Sequence, residues 1–281
     1  MTAKQATILA SEVRMLKSAQ TGRKYRITIS LPYAYSRPEV KDWPFSNQWP
    51  VVYLLDANWY FGMITDMIRA MAWCESTSDA IVVGIGYPEE HDPQEAWREA
   101  VARRAIDFTP VRDKEYEESN SELTKRPFTT GSAGGFHKFI KDELIPLIET
   151  EYQADPSKRV LAGHSLGGLF GAFALFQEPA LFDAYVVSSP FLRYGDKFMF
   201  KQEEAFFMKH RRLKARVYFS AGELEKSADN PMLTDMLRFA ARLKKHNYKG
   251  LTMIKKTFAN LNHCEVIAPG FQGGLMWALG K

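Results

Sequence analysis

Cysteine is scarce in this sequence: the 281 residues include only Cys74 and Cys264. Two thiols so far apart make neither a disulfide framework nor a metal-ligand spacing, which fits a reducing compartment. No apolar run is long enough to cross a membrane, and residues 1–16 lack the apolar block of a secretion signal, so a soluble, cytoplasmic protein is expected. An excess of one charge is also missing. The 37 basic and 33 acidic residues leave a formal charge of +4 and are interleaved along most of the chain. The one short basic run, 210–214, reads as a solvated helix end rather than a phosphate-tracking groove, which argues against a nucleic-acid partner. No Pro/Ser/Gly-rich linker, repeat or low-complexity tract divides the chain. With 46% hydrophobic residues it can bury a large core, and it reads as a single domain over 1–281. Nothing in the sequence specifies an oligomeric state.

What is present is an alternation of strand and helix signals. Residues 25–31 alternate polar and apolar side chains and stop at Pro32, predicting a half-exposed strand early in a sheet. Residues 51–55 and 81–85 are continuously apolar, as parallel strands covered on both faces should be. The first of these ends in Asp56-Ala57-Asn58, a candidate functional turn; the second ends at Gly84 and Gly86. Between them Phe61, Ile64, Met67, Ile68 and Met71 recur at helical spacing, predicting a crossover helix over 60–72. Residues 92–136 are charged and broken by Pro93, Pro110 and Pro127, which predicts a long lid-like surface excursion, with a second near 191–210. A helix should run from Ser132 or Gly135 to Tyr152 in spite of Pro146. Strands are expected at 159–162, 184–188, 216–220 and 252–258, and a helix at 232–245, with Asp229 and Asp235 capping or decorating its start. This order predicts an α/β fold: a mostly parallel sheet of about eight strands with helices on both faces and the active site beyond the strands' carboxyl ends.

The sharpest chemical signal is Gly163-His164-Ser165-Leu166-Gly167, followed by Gly168, with a strand before it and the apolar helix 169–176 after it. A G-x-S-x-G string alone arises by chance in roughly one chain in ten of this length. The strand-to-helix setting is much rarer. It is what the nucleophile elbow of an α/β-hydrolase fold would require, with glycines flanking a strained serine because strand and helix nearly collide there. The bland alternative is a tight junction with an incidental serine. The helix starting at the elbow aims backbone N–H groups at a developing oxyanion, making Leu166 N–H the first donor. In this fold the acid and then the histidine follow the serine in sequence. Of the six histidines only His210, His246 and His263 follow Ser165, and only His263 lies beyond the last strand. The loop after 216–220 offers Glu223 and Glu225; Glu225, further past the strand end, is the first choice and Glu223 stays open. A second donor should come from the loop after 51–55, Asn58 N–H first and Ala57 next. Trp59, Tyr60, Phe191 and Tyr194 are candidates for an aromatic wall, or equally for core.

Five segments carry a wider likeness: Tyr53-Leu54-Leu55-Asp56-Ala57-Asn58, Asp107-Phe108-Thr109-Pro110, the Ser165 elbow, Gly222-Glu223-Leu224-Glu225, and Leu261-Asn262-His263. Together they resemble the putative-esterase family of α/β-hydrolases, which includes siderophore esterases acting on enterobactin-type trilactones, esterase D and feruloyl esterases. The likeness spans the chain from about Val13 onward and departs from the siderophore enzymes at Phe191-Leu192-Arg193-Tyr194, where tryptophans are common. It implies hydrolysis of a small-molecule carboxylic ester through an acyl-enzyme, without metal or cofactor, with Ser165 as nucleophile and His263 as base; some relatives work with a Ser-His pair and little help from an acid, which would make Glu225 a modest third member. A thioesterase would use the same machinery, and a ligand-binding protein on a hydrolase scaffold is the alternative from another class.

Overall fold

The computed structural model describes residues 6–35, 48–89, 92–228 and 230–280; Asp229 lies outside them. Eight strands form one sheet: β1 (Ser11–Lys17), β2 (Lys24–Ser30), β3 (Trp49–Leu54), β4 (Ile81–Gly86), β5 (Ala154–His164), β6 (Ala184–Ser188), β7 (Arg212–Gly222) and β8 (Lys249–Phe258). Their order across the sheet is β1-β2-β4-β3-β5-β6-β7-β8. β1, β2 and β4 pair antiparallel, and every pair from β4–β3 to β7–β8 is parallel. The sheet is thus mostly parallel, as the alternation predicted. The elbow strand β5 lies between β3 and β6, and β8 closes the far edge.

The helices are α1 (Ala57–Trp73), α2 (Pro93–Phe108), α3 (Lys114–Thr124), α4 (Ala133–Phe139), α5 (Ile145–Glu151), α6 (Leu166–Gln177), α7 (Tyr194–Lys209), α8 (Met232–His246) and α9 (Ile267–Leu279). α1 and α9 cover one face of the sheet, burying Phe61, Ile64, Ile68, Phe271 and Leu275 against Val52, Leu54, Val82 and Val186. The opposite face carries the larger core, where Phe136, Phe139, Phe170, Phe173 and Phe239 meet Tyr53, Val83, Leu161 and Phe219. Among the described residues no helix is long and apolar enough to cross a membrane.

Three elements differ from the sequence reading. β2 is not half-exposed: its polar positions Thr28 and Ser30 are buried with its apolar ones, and Arg69 of α1 donates to Ser30 Oγ at 2.8 Å. Residues 92–136 are largely helical. Asp92 caps α2 by accepting from Gln94 N and Glu95 N, with Pro93 at the first helical position, a start worth about 1 kcal/mol. α2 buries Ala100, Ala102, Ala105 and Phe108. Residues 191–210 likewise contain α7. The helix leading into β5 does accommodate Pro146, through a π-helical stretch, Ile140–Leu144, set between α4 and α5. The wider turn offers room where the proline ring would crowd the preceding carbonyls and where its N–H is missing. Asp235 lies buried in the first turn of α8.

Candidate active site

Positive φ angles at non-glycine residues recur at four strand ends along the carboxyl edge of the sheet. Asp56, Ser165, Ser189 and Asn260, at φ 56°, 60°, 39° and 58°, follow the ends of β3, β5, β6 and β8. Such backbone costs about 1–3 kcal/mol per residue, so it persists only where the surroundings over-determine it. Ser165 (φ 60°, ψ −117°) is the N-cap of α6. Its N–H donates to Ser188 O at 3.0 Å, and its carbonyl accepts from Leu169 N and Phe191 N at 2.9 and 3.1 Å. The turn is tight enough that a Cβ on Gly163 would lie 2.5 Å from Gly167 O. A strand and helix this close require glycine at position 163.

The structure brings Ser165, His263 and Glu225 into one line. Ser165 Oγ lies 3.1 Å from His263 Nε2, and His263 Nδ1 lies 2.5 Å from Glu225 Oε1. Glu225 is fully buried, and its other oxygen accepts from Ser189 Oγ at 2.7 Å and Gly222 N at 2.6 Å. A carboxylate can only accept, so it fixes the imidazole proton on Nδ1 and leaves Nε2 free to take a proton from the serine. Glu223 points elsewhere. It accepts from Asn260 N and pairs with Lys226, and these contacts hold its carboxyl below the ordinary range. The loop delivering His263 is tied to that after β7 by Leu224 N–H donating to Leu261 O at 3.0 Å and Glu223 N–H to Phe258 O at 2.8 Å.

Leu166 is the first residue of α6 and Asn58 the second of α1. First-turn N–H groups have no carbonyl four residues back within the helix, so both positions can offer donors. Asn58's side chain is engaged away from the nucleophile, receiving Tyr87 N–H at 2.7 Å and donating to Tyr87 O at 2.9 Å. The aromatic candidates divide. Tyr194 is buried, Tyr60 packs on Phe271, and Phe191 and Tyr194 both contact Tyr116 of α3. Trp59 is exposed and, with Trp97 of α2, lines an open groove of about 360 Å³ beside Asn58.

Sequence reasoning missed three groups at the site. His164 was legible inside the elbow motif. It packs beneath His263 with ring centroids 4.5 Å apart, and burial, reinforced by His263, holds its imidazole well below the usual pKa. Ser189 had no signal of its own. Arg104, whose two-point contact with Asp56 is described below, was hidden in a segment read as surface loop. Among the described residues the cluster able to offer three metal-type ligands is Glu203, Glu204 and His246 on α7 and α8. There both carboxylates are already engaged by Arg242 and lie outside the serine site.

A profile of the family described as Putative esterase matches residues 18–264. The ferri-bacillibactin esterase BesA of Bacillus subtilis is 31% identical over 97% of this chain and 91% of its own length. A siderophore triacetylfusarinine C esterase of Aspergillus fumigatus is 28% identical over 66% of this chain and 57% of its own. Among solved structures, the BES protein from Bacillus cereus superposes with a TM-score of 0.80 at 28% identity, covering 99% of this chain and 98% of its own.

Proposed function

This chain belongs to the Putative esterase family of α/β-hydrolases and is a carboxylic ester hydrolase; from that premise we propose that Ser165, His263 and Glu225 carry the reaction and that its substrates are siderophore esters. The observation that carries the reading is the unbroken hydrogen-bonded line from Ser165 Oγ through His263 to the buried Glu225. His263 Nε2 takes the serine proton as Oγ attacks the ester carbonyl. The resulting oxyanion is received by the N–H groups of Leu166 and Asn58. The imidazolium, stabilised by Glu225, returns its proton to the departing alcohol, and the same imidazole then activates a water that releases the acid from Ser165. The siderophore assignment is supported by relatives named as bacillibactin and triacetylfusarinine C esterases.

The test uses Ser165→Ala. The variant should fold with an unchanged thermal midpoint, lose more than about 10³-fold in kcat on p-nitrophenyl acetate and on a ferric siderophore lactone, and resist a fluorophosphonate that labels the wild type stoichiometrically. Retained turnover would overturn the nucleophile. A wild type that cleaves the simple ester but leaves bacillibactin- and fusarinine-type esters intact would overturn the substrate class alone.

A further inference from the structure

Asp56 carries a negative charge into the interior where β3 turns into α1. Its side chain is 1% exposed, and both oxygens are gripped by Arg104 of α2, whose Nε and Nη2 donate at 2.7 and 2.8 Å. Asp56 is the N-cap of α1, in the left-handed region at φ 56°, ψ 39°, yet its side chain makes no capping bond. The commonest use of an aspartate at a helix start is thus given up for the arginine. The other flank of this carboxylate is the elbow helix: a Cβ on Gly167 would lie 3.3 Å from Asp56 Oδ2 and 3.5 Å from Leu55 Cβ. The carboxylate therefore sits between the first turn of α1, which contains Asn58, and that of α6, which contains Leu166.

The surroundings make this grip rigid. Arg104 lies 5.5 Å from the Trp59 ring centroid and 5.6 Å from that of Phe108. Burial opposes its charge, but Asp56 outweighs burial and holds the guanidinium pKa above its ordinary value. On its other side the first turn of α1 is clamped by Asn58 onto the Tyr87 backbone, and Ala57 fills the space a side chain at Gly84 would need. A buried ion pair is a weak source of net stability, since desolvation offsets most of the attraction and apolar replacements are often as stable. What a two-point guanidinium–carboxylate contact does fix is geometry.

We propose that Arg104 is a positioning residue for ester hydrolysis: through Asp56 it sets the spacing between the backbone N–H groups of Asn58 and Leu166, and so acts on the tetrahedral intermediate rather than on substrate binding. The proposal rests on the assignment of Ser165 and of those two donors.

The experiment compares Arg104→Gln, Arg104→Lys and the double variant Asp56→Asn/Arg104→Met in steady-state hydrolysis of p-nitrophenyl acetate, in thermal unfolding and in fluorophosphonate labelling. Arg104→Gln should lower kcat by roughly 10- to 100-fold, the scale of a small misplacement of catalytic groups, with KM within about threefold. Arg104→Lys should lose nearly as much, because an ammonium keeps the charge but not the two-point contact. The double variant removes both charges, so its thermal midpoint should recover toward wild type while its kcat does not. Recovery of kcat along with stability would overturn the proposal and leave a structural role. So would a loss carried by KM, or a kcat within twofold of wild type in Arg104→Lys and the double variant, which decide the matter should Arg104→Gln fail to fold. A wild type unlabelled by the fluorophosphonate would instead remove the nucleophile on which the proposal rests.

Discussion

Glu225 shows how much one side chain is asked to do. Fully buried, it faces three donors: His263 Nδ1–H, Ser189 O–H and Gly222 N–H. Glu225→Gln keeps the volume but puts an N–H₂ group where acceptors are needed, so either the imidazole or the Ser189–Gly222 pair faces a donor. We expect kcat to fall by up to about 10⁴-fold, the loss found when a triad acid is neutralised, with slower acylation in single-turnover measurements; a loss below about threefold would remove Glu225 from the mechanism. The choice of Glu225 over Glu223 was only partly legible in the sequence. Both lie in the right loop, and Glu225, two residues further past the strand end, turns inward while Glu223 stays on the rim with Lys226 and Asn260. Ser165 and His263 were more legible, because the elbow has a backbone requirement written in glycine and because chain order eliminates the competing histidines. Arg104 was not, since a two-point contact between residues 56 and 104 depends on how α2 packs.

Among the elements, the junction of β7 with the loop after β8 is the most exacting. A Cβ on Gly222 would overlap Leu261 O and come within 3.2 Å of Asn262 O, the backbone immediately before His263. Gly222→Ala should therefore push that loop away from Ser165. We expect a loss on the order of a hundredfold in kcat, accompanied by the roughly 1–3 kcal/mol destabilisation of an overpacked site in denaturant titration; a variant with wild-type kcat would show that the loop can yield without moving the imidazole. The central strands were legible because burial on both faces forces continuous apolar runs. β1 was not: it is an edge strand, largely exposed, and no apolar pattern is required of it. α2 escaped for a related reason. Its buried stripe is mostly alanine, which packs closely on α6 but leaves little periodic hydrophobic signal.

For the whole molecule, one buried acid adds a cross-tie between α2 and the antiparallel edge of the sheet. Asp107 of α2 is fully buried; it pairs with Arg23 and accepts from the hydroxyls of Tyr25 on β2, at 3.3 Å, and Tyr87 beyond β4, at 3.2 Å. Burial pushes its pKa up to about 6 from an ordinary 3.8, although Arg23 pulls the other way. The folded chain thus takes up this proton at a higher pH than the unfolded chain. Between those two values the native state binds more protons, so the contribution of this group to stability grows as pH falls from about 6 and is smallest above it. Asp107→Asn mimics the protonated acid at every pH. Urea titrations should show wild type gaining stability relative to the variant between pH 7 and pH 4.5, and a constant difference would refute the assignment. The α/β layering was foreseeable from the alternation of elements, whereas this cross-tie, like Arg104, links residues that only the folded sheet brings together. The site has a similar reach. Ser165 and His263, the imidazole proposed to activate it, are 98 residues apart in the chain, with three strands and three helices between them. On the proposed mechanism the alcohol emerges from the ribosome long before its activator, so the growing polypeptide should stay chemically silent until the last strand has docked. Turnover should therefore serve as a reporter of completed folding, and proteolytic loss of the segment beyond β8 should extinguish it even where most of the domain survives.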